Sequence, residues 1–279
     1  VKHAALISVL AILALFLLSC SPGPAPAAVQ EDSTIVFADG GYISRLLGSQ
    51  GYINAVSGEG TGAITYTSSE PAIASVDAAT GEVTALAKGV TYITASKAAT
   101  ETHTAATSAY TVEVCGIGST YQGGKIAYFL APANPGYDQD VPHGIIAAPA
   151  DQGSAYWSLT AYKSTYVAGA VSMDIGKGLE NSTAIIAQNG AGTGYAAGVC
   201  DAYVNAGYGD WFLPSLDELT TLYENRALIG GFASSGACTY WSSTSTAPST
   251  ARYKTFDGSG ATGDAIKDGS YFVRPVRYF

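Results

Sequence analysis

Few side chains in this chain could do chemistry. It has four cysteines and three histidines, and His3 stands before a long apolar run, which leaves His103 and His143 forty residues apart. Two separated imidazoles cannot supply the ligands of a zinc site. No Gly-x-Ser-x-Gly elbow is present, and a serine triad would have to borrow one isolated histidine. A turn role beside Gly144 is expected for His143. No nucleophile, acid and base converge on any motif, so no enzyme activity, catalytic residue, metal or cofactor is expected.

The carboxylates offer slightly more. Asp257, Asp264 and Asp268 lie in one Gly-rich stretch and could hold a cation only if several further oxygens converged with them; solvated acidic loops are the expectation. The loops 245–250 and 257–268, with Tyr253 and Lys254 between them, are rich in Ser and Gly, a composition that gives adaptable contacts at modest entropic cost. Binding residues concentrate on such loops when a rigid scaffold holds them. Tyr253, Lys254, Asp257, Asp264 and Lys267 are therefore the candidate binding residues.

The cysteines point elsewhere. Val1-Lys2-His3, the apolar run 4–18 and Ser19-Cys20 follow the order of an export signal. Fifteen residues reach about 22 Å, short of the roughly 30 Å of a hydrocarbon core, so a cleaved signal is preferred to a spanning helix. Leu17-Leu18-Ser19-Cys20 resembles the bacterial lipobox. That resemblance implies a lipoprotein signal peptide over 1–20, lipidation at Cys20, and attachment through the lipid anchor to a membrane of the cell envelope, outer membrane or cell surface. Two or more acyl chains make such attachment stable. Residues 21–32, rich in Pro and Ala, read as a solvated tether. Among Cys115, Cys200 and Cys238 one disulfide and one thiol is the simplest account, with Cys200 and Cys238 as the expected pair because Cys115 falls at a domain junction.

The formal net charge is −9 and no run of Lys or Arg occurs, which argues against nucleic acid as a partner. Hydrophobic residues make up 47% and charged residues only 13%, enough to build cores, and the length beyond the tether suits two domains. In residues 33–114, apolar and polar residues alternate at Ile64 and Tyr66, Val83 and Ala85, Val90 and Tyr92, and Tyr110, Val112 and Val114. Turn signals such as Thr80-Gly81 and Lys88-Gly89 separate them, which predicts a small antiparallel sandwich. Residues 64–77 and 80–89 resemble the bacterial immunoglobulin-like group 2 family, whose modules serve as stalks or spacers. The stretch 97–107 departs from that pattern, and an irregular sheet edge is expected there.

Residues 115–279 hold all three tryptophans, Trp157, Trp211 and Trp241, so an aromatic core is expected. Helical spacing appears over 195–206 and again from Ser215-Leu216-Asp217-Glu218, a capping box, to about Arg226. Strand patterns follow at 239–244, 251–256 and 270–279. Of Arg274 and Arg277, which flank Pro275, one is expected to face inward and the other solvent. Residues 122–128 and 143–152, then 209–215, 240–244 and 272–277, resemble in order a domain family of unknown function that includes the C-terminal domain of the Legionella collagen-like adhesin. That family is similar in pattern to formylglycine-generating enzymes and other C-type-lectin-like folds. The fold expected is therefore multidomain, an all-β immunoglobulin-like sandwich followed by an α+β C-type-lectin-like domain. The function implied is adhesion to a glycan, matrix or cell-surface protein ligand. A structural envelope protein without a ligand is the alternative; a formylglycine-generating type of enzyme is a further one, but Cys238 has no nearby partner cysteine.

Overall fold

A computed structural model of the chain describes residues 29–234 and 238–279. The expected signal peptide, Cys20 and most of the expected tether lie outside the described residues. No helix among the described residues is long and apolar enough to cross a membrane.

Among the described residues eight strands occupy the N-terminal part: β1 Val36–Phe37, β2 Tyr42–Leu46, β3 Val56–Ser57, β4 Ile64–Ser68, β5 Ala74–Val76, β6 Val83–Ala85, β7 Gly89–Lys97 and β8 Ala106–Cys115. The main sheet has the order β2-β8-β7-β4, with β1-β3 and β5-β6 as small ribbons beside it. Alternate residues of β7 and β8, among them Ile93, Ala95, Tyr110, Val112 and Val114, turn inward and meet Phe37, Ala74, Val83 and Ala85. Period-two patterning thus places one face of the sheet in the core and leaves the other to water. Two details differ from expectation. β2 runs parallel to β8, so the sheet is mixed rather than antiparallel throughout. The β7–β8 ladder is unbroken from Gly89 opposite Val114 to Lys97 opposite Ala106, because Lys97 turns inward and its Nζ donates to the Thr34 and Glu59 carbonyls at 2.9 and 2.8 Å.

Beyond Cys115 come β9 Thr120–Tyr121, β10 Gly124–Phe129, β11 Gly144–Ala147, β12 Ser154–Ala155, β13 Thr239–Ser245, β14 Thr250–Thr255, β15 Thr262–Ile266, β16 Tyr271–Phe272 and β17 Val276–Tyr278. They form two sheets, β17-β11-β10-β9 and β12-β16-β13-β14-β15. Among the described residues four helices pack with them: α1 Gly178–Asn189, α2 Ala196–Asp201, α3 Leu216–Glu224 and α4 Arg226–Ile229. All seven residues of β13 are buried, because helices and loops cover both of its faces. Trp157 and Trp241 are fully buried and place their indole N–H groups on the Ser242 and Ala155 carbonyls at 2.8 and 3.0 Å. Each hydrophobic cluster lies wholly before or wholly after Cys115.

The capping box forms as its spacing requires. Ser215 Oγ accepts from Glu218 N at 3.3 Å and Glu218 Oε2 accepts from Ser215 N at 2.8 Å. The expected helix over 195–206 is shorter, stopping at Asp201. The twelve-residue α1 escapes sequence reading because it has neither a capping side chain nor a clear apolar stripe. The expected disulfide between Cys200 and Cys238 is not formed. Cys200 packs on α2 among Trp157 and Ile185, whereas Cys238 belongs to the separate cluster around Tyr240 and Phe256. Arg274 and Arg277 both face inward, 0% and 6% exposed. The chain changes sheets at Pro275, between β16 and β17, so strand alternation does not carry across it.

Candidate functional site

The five candidate residues do not share one face. Lys254 is buried; its Nζ donates to the Gly260 carbonyl at 2.9 Å and lies 4.9 Å from the Tyr223 ring, closing the turn after β14. Burial holds its ammonium below the ordinary lysine range. Lys267 is fully buried, donates to the Thr165 carbonyl at 3.0 Å and sits over the Trp157 ring at 4.6 Å. Tyr253 is half-buried, with its ring edge-on to Tyr271 at 5.7 Å. Asp264 is exposed and pairs with Arg252 at 3.4 Å. Asp257 is exposed and accepts from Ser259 N and Oγ at 3.0 and 2.6 Å, which keeps its carboxyl below the usual range. Asp268 pairs with Lys163 at 2.8 Å. Among the described residues no three His, Cys, Asp or Glu side chains gather as a metal would require.

Burial pushes the Lys267 ammonium down to about 8, and this makes a testable pH dependence. An unfolded lysine titrates near 10.4, so between about pH 8 and 10 the unfolded chain holds a proton that the native chain has lost, and stability rises with pH. Over the full window that linkage is worth about 3 kcal/mol. Buried Cys200, whose thiol is pushed well up by burial, gives the opposite slope above about pH 8.5. The informative quantity is therefore the difference between the chain and Lys267→Met. Urea unfolding at steps from pH 7.5 to 9.5 should show the chain gaining on the variant, and a constant difference would refute the assignment.

One candidate residue, Asp257, borders a cleft of about 620 Å3, together with Arg226, Phe232, Ser234, Phe256 and Gly258. Helix α3 ends at Glu224, and α4 begins with Arg226, whose guanidinium stacks on Tyr223 at 4.0 Å and donates to its carbonyl at 2.7 Å. The stack fixes the arginine while leaving donors for an incoming acceptor. Phe232 and Phe256 stand 4.8 Å apart, with Tyr240 packed on both.

The wall of the cleft, residues 230–233, is fastened from below. Arg274 donates from Nη1 to Asp151 Oδ1 at 2.9 Å and to the Gly231 carbonyl at 2.6 Å, and from Nη2 to the Gly230 carbonyl at 2.7 Å. Tyr240 OH donates to Asp151 Oδ2 at 2.6 Å, and Ala233 N donates to both that oxygen and the Tyr240 hydroxyl at 3.0 and 2.7 Å. Burial, and then Asp151, raises the Tyr240 phenol far above its ordinary value. Gly231 has φ +70°, and a Cβ there would collide with the Pro149 carbonyl. Sequence reasoning singled out Asp257 but missed Arg226 and Phe232; the Gly230-Gly231 pair after a short helix was the available sign of a special turn.

Residues 52–99 match the intimin immunoglobulin-like domain. The matched span runs from β3 to β7 of the N-terminal sandwich, over the residues that resemble group 2 domains. No curated protein matches the chain. Among solved structures, a fimbrial protein from Bacteroides ovatus is 12% identical over 88% of this chain and 74% of its own, with a TM-score of 0.39. The C-terminal 282-residue fragment of intimin, in complex with the intimin-binding domain of the translocated intimin receptor, is 16% identical over 88% of this chain, with a TM-score of 0.24. Human protocadherin-24 EC1-2 is 14% identical over 37% of this chain, with a TM-score of 0.25. The chain spans 66% of the intimin fragment and 59% of the protocadherin chain.

Proposed function

We propose that the chain is a non-catalytic surface lipoprotein, lipidated at Cys20, whose immunoglobulin-like stalk over 33–114 displays a binding module over 115–279. The cleft between Arg226 and Asp257 is the ligand seat. The observation that carries this reading is the construction of that cleft: aromatic walls, a fixed guanidinium and a carboxylate at the rim, on loops fastened by a buried ion pair. Preorganisation of this kind lowers the entropic cost of binding. The stalk reading draws on the intimin-type immunoglobulin-like match over 52–99. A C-type-lectin-like architecture for the module draws on its C-terminal strand β17, which pairs with β11 beside β10 and so brings the two ends of the module together.

The test is a glycan, matrix and cell-surface protein array probed with the chain and with Arg226→Ala and Asp257→Asn. The expected result is a hit that Arg226→Ala weakens at least tenfold, since a charge-assisted hydrogen bond is worth about 1.5–3 kcal/mol. Absence of any hit, or binding by both variants equal to that of the parent chain, removes the cleft as a ligand site. Labelling cells with a fatty acid tests the anchor separately: Cys20→Ala should abolish incorporation.

A further inference from the structure

Lys267 is buried without a counter-charge. Its side chain places Nζ on the Thr165 carbonyl at 3.0 Å and over the Trp157 ring at 4.6 Å, and the residue is 0% exposed. An ammonium has three N–H donors, and this one uses a single acceptor among the described residues. The neighbouring carboxylate does not serve it, because Asp268 closes on Lys163 at 2.8 Å. Burying a cation on one carbonyl and one ring is costly. The backbone nevertheless fixes the lysine in place: Lys267 N donates to the Ser249 carbonyl and Trp157 N donates to the Lys267 carbonyl, both at 2.9 Å. Burial brings the ammonium down to about 8, so at neutral pH it keeps most of its charge.

The same lysine forms part of the wall of a cleft of about 210 Å3, with Lys163, Ser164, Ser249, Ile266 and Asp268. One water needs only about 10–15 Å3, so the space suits a larger group. Ser164 precedes the Thr165 carbonyl that Lys267 holds, and Ser249 lies opposite Lys267 where β14 and β15 part. Neither serine hydroxyl has a hydrogen-bond partner among the described residues, and both serines are exposed. Two lysines and one aspartate give this lining a net positive charge on a chain of net charge −9.

We propose that this cleft binds a tetrahedral oxyanion, a sulfate or phosphate group, through Lys267, Lys163 and the hydroxyls of Ser164 and Ser249. The donor set selects the class. A planar carboxylate is matched best by the fork of an arginine, and no arginine lines the cleft. Lysine acts as a point charge, and ammonium and hydroxyl donors arriving from separate chain segments suit oxygens that point in several directions. Lys163 has no polar partner other than Asp268 among the described residues, so it can turn to the anion. The acidic chain repels a polyanion, which favours a free ion or a monoester. Ile266, 61% exposed, adds an apolar edge for the body of such an ester. The Arg226 cleft shares none of these residues, so this site stands or falls independently of it.

Calorimetric titration of the chain with inorganic sulfate and inorganic phosphate, at ionic strength held constant with chloride, tests the site. Saturable binding of one anion per chain is expected, with Kd on the order of 1 mM. Lys267→Met should weaken it about tenfold or more, as loss of a charge-assisted hydrogen bond does, and Ser164→Ala with Ser249→Ala should weaken it too. Asp268→Asn removes the one carboxylate of the lining and releases Lys163, so it should tighten binding, a direction that loss of structure would not give. Phenyl sulfate and phenyl phosphate identify the source: an ester that binds more tightly than its inorganic ion marks a monoester site, and the reverse marks a site for the free ion. Thermal midpoints matching the parent establish that the variants fold, and the serine pair with Asp268→Asn decides if Lys267→Met does not. No saturable binding of any of the four probes overturns the proposal, as does binding that none of the substitutions changes. Acetate binding as tightly as sulfate and phosphate overturns the tetrahedral class.

Discussion

Arg274→Met is expected to destabilise the module beyond Cys115 by about 3–5 kcal/mol, the usual result of deleting one partner of a buried ion pair. The size follows from what is left behind. Methionine fills much of the space and keeps contact with Phe232, but the Asp151 carboxylate, with its side chain 13% exposed, loses its counter-charge, and the Gly230 and Gly231 carbonyls lose their donors. For a unit of this size the loss corresponds to a fall of roughly 10 °C in melting temperature. Asp151→Leu in the same background should recover part of it, because an apolar pair in place of a buried ion pair is often close to neutral. Urea unfolding of the two single variants and the double would measure this. Additive losses would mean that the two side chains do not act together, and a loss under about 1 kcal/mol for Arg274→Met would mean that the cleft wall is held by something else. The same variant should weaken any ligand of the cleft, since residues 230–233 would no longer be held at their present spacing.

How much of this was legible beforehand depended on the range of the interaction. The Ser215–Glu218 capping box, the alternation in β6 and β8 and the aromatic core around Trp157 and Trp241 are local or periodic signals, and they lie where the spacing put them; in β7 the phase is reversed, with Val90 and Tyr92 facing water and Thr91 and Ile93 turned inward. The lysines were misread because Lys254 and Lys267 look like surface residues in a polar stretch, yet each is drawn inward by a carbonyl and an aromatic ring contributed from elsewhere in the chain. Arg226 and Phe232 carried no recognisable pattern, since their importance comes from a network closed by Asp151 and Arg274, 123 residues apart. The Cys200–Cys238 pairing failed for a related reason. Counting thiols says nothing about which core each one enters, and two clusters pack separately within what reads as one domain.

Glu218→Ala is the second large effect expected, about 4 kcal/mol or more, because the carboxylate does far more than cap α3. It is fully buried. Oε2 accepts from Ser215 N, while Oε1 accepts from Gly176 N at 2.9 Å, Gly178 N at 3.3 Å and Tyr278 OH at 2.5 Å. One side chain thus ties the start of α3 to the turn before α1 and to the C-terminal strand β17. Gly178 has to be glycine for this, since a Cβ there would collide with the carboxylate and come within 2.8 Å of the Phe212 ring. Alanine leaves four donors without acceptors, each costing about 1–3 kcal/mol when buried, whereas glutamine retains one oxygen for Gly176, Gly178 and Tyr278 and should cost much less. Burial raises the Glu218 pKa above its ordinary value even though all four donors pull it down. The native state therefore binds a proton more readily than the unfolded chain, and its stability relative to Glu218→Gln should fall as pH rises from the ordinary carboxyl value toward neutrality. Denaturation of the chain, Glu218→Gln and Glu218→Ala at pH 4.5 and 7 separates the two contributions: the hydrogen bonds set the gap between glutamine and alanine, and the desolvated charge sets the pH dependence of the gap between glutamate and glutamine. Equal losses for glutamine and alanine would mean that the carbonyl oxygen holds neither the α1 turn nor β17 in place.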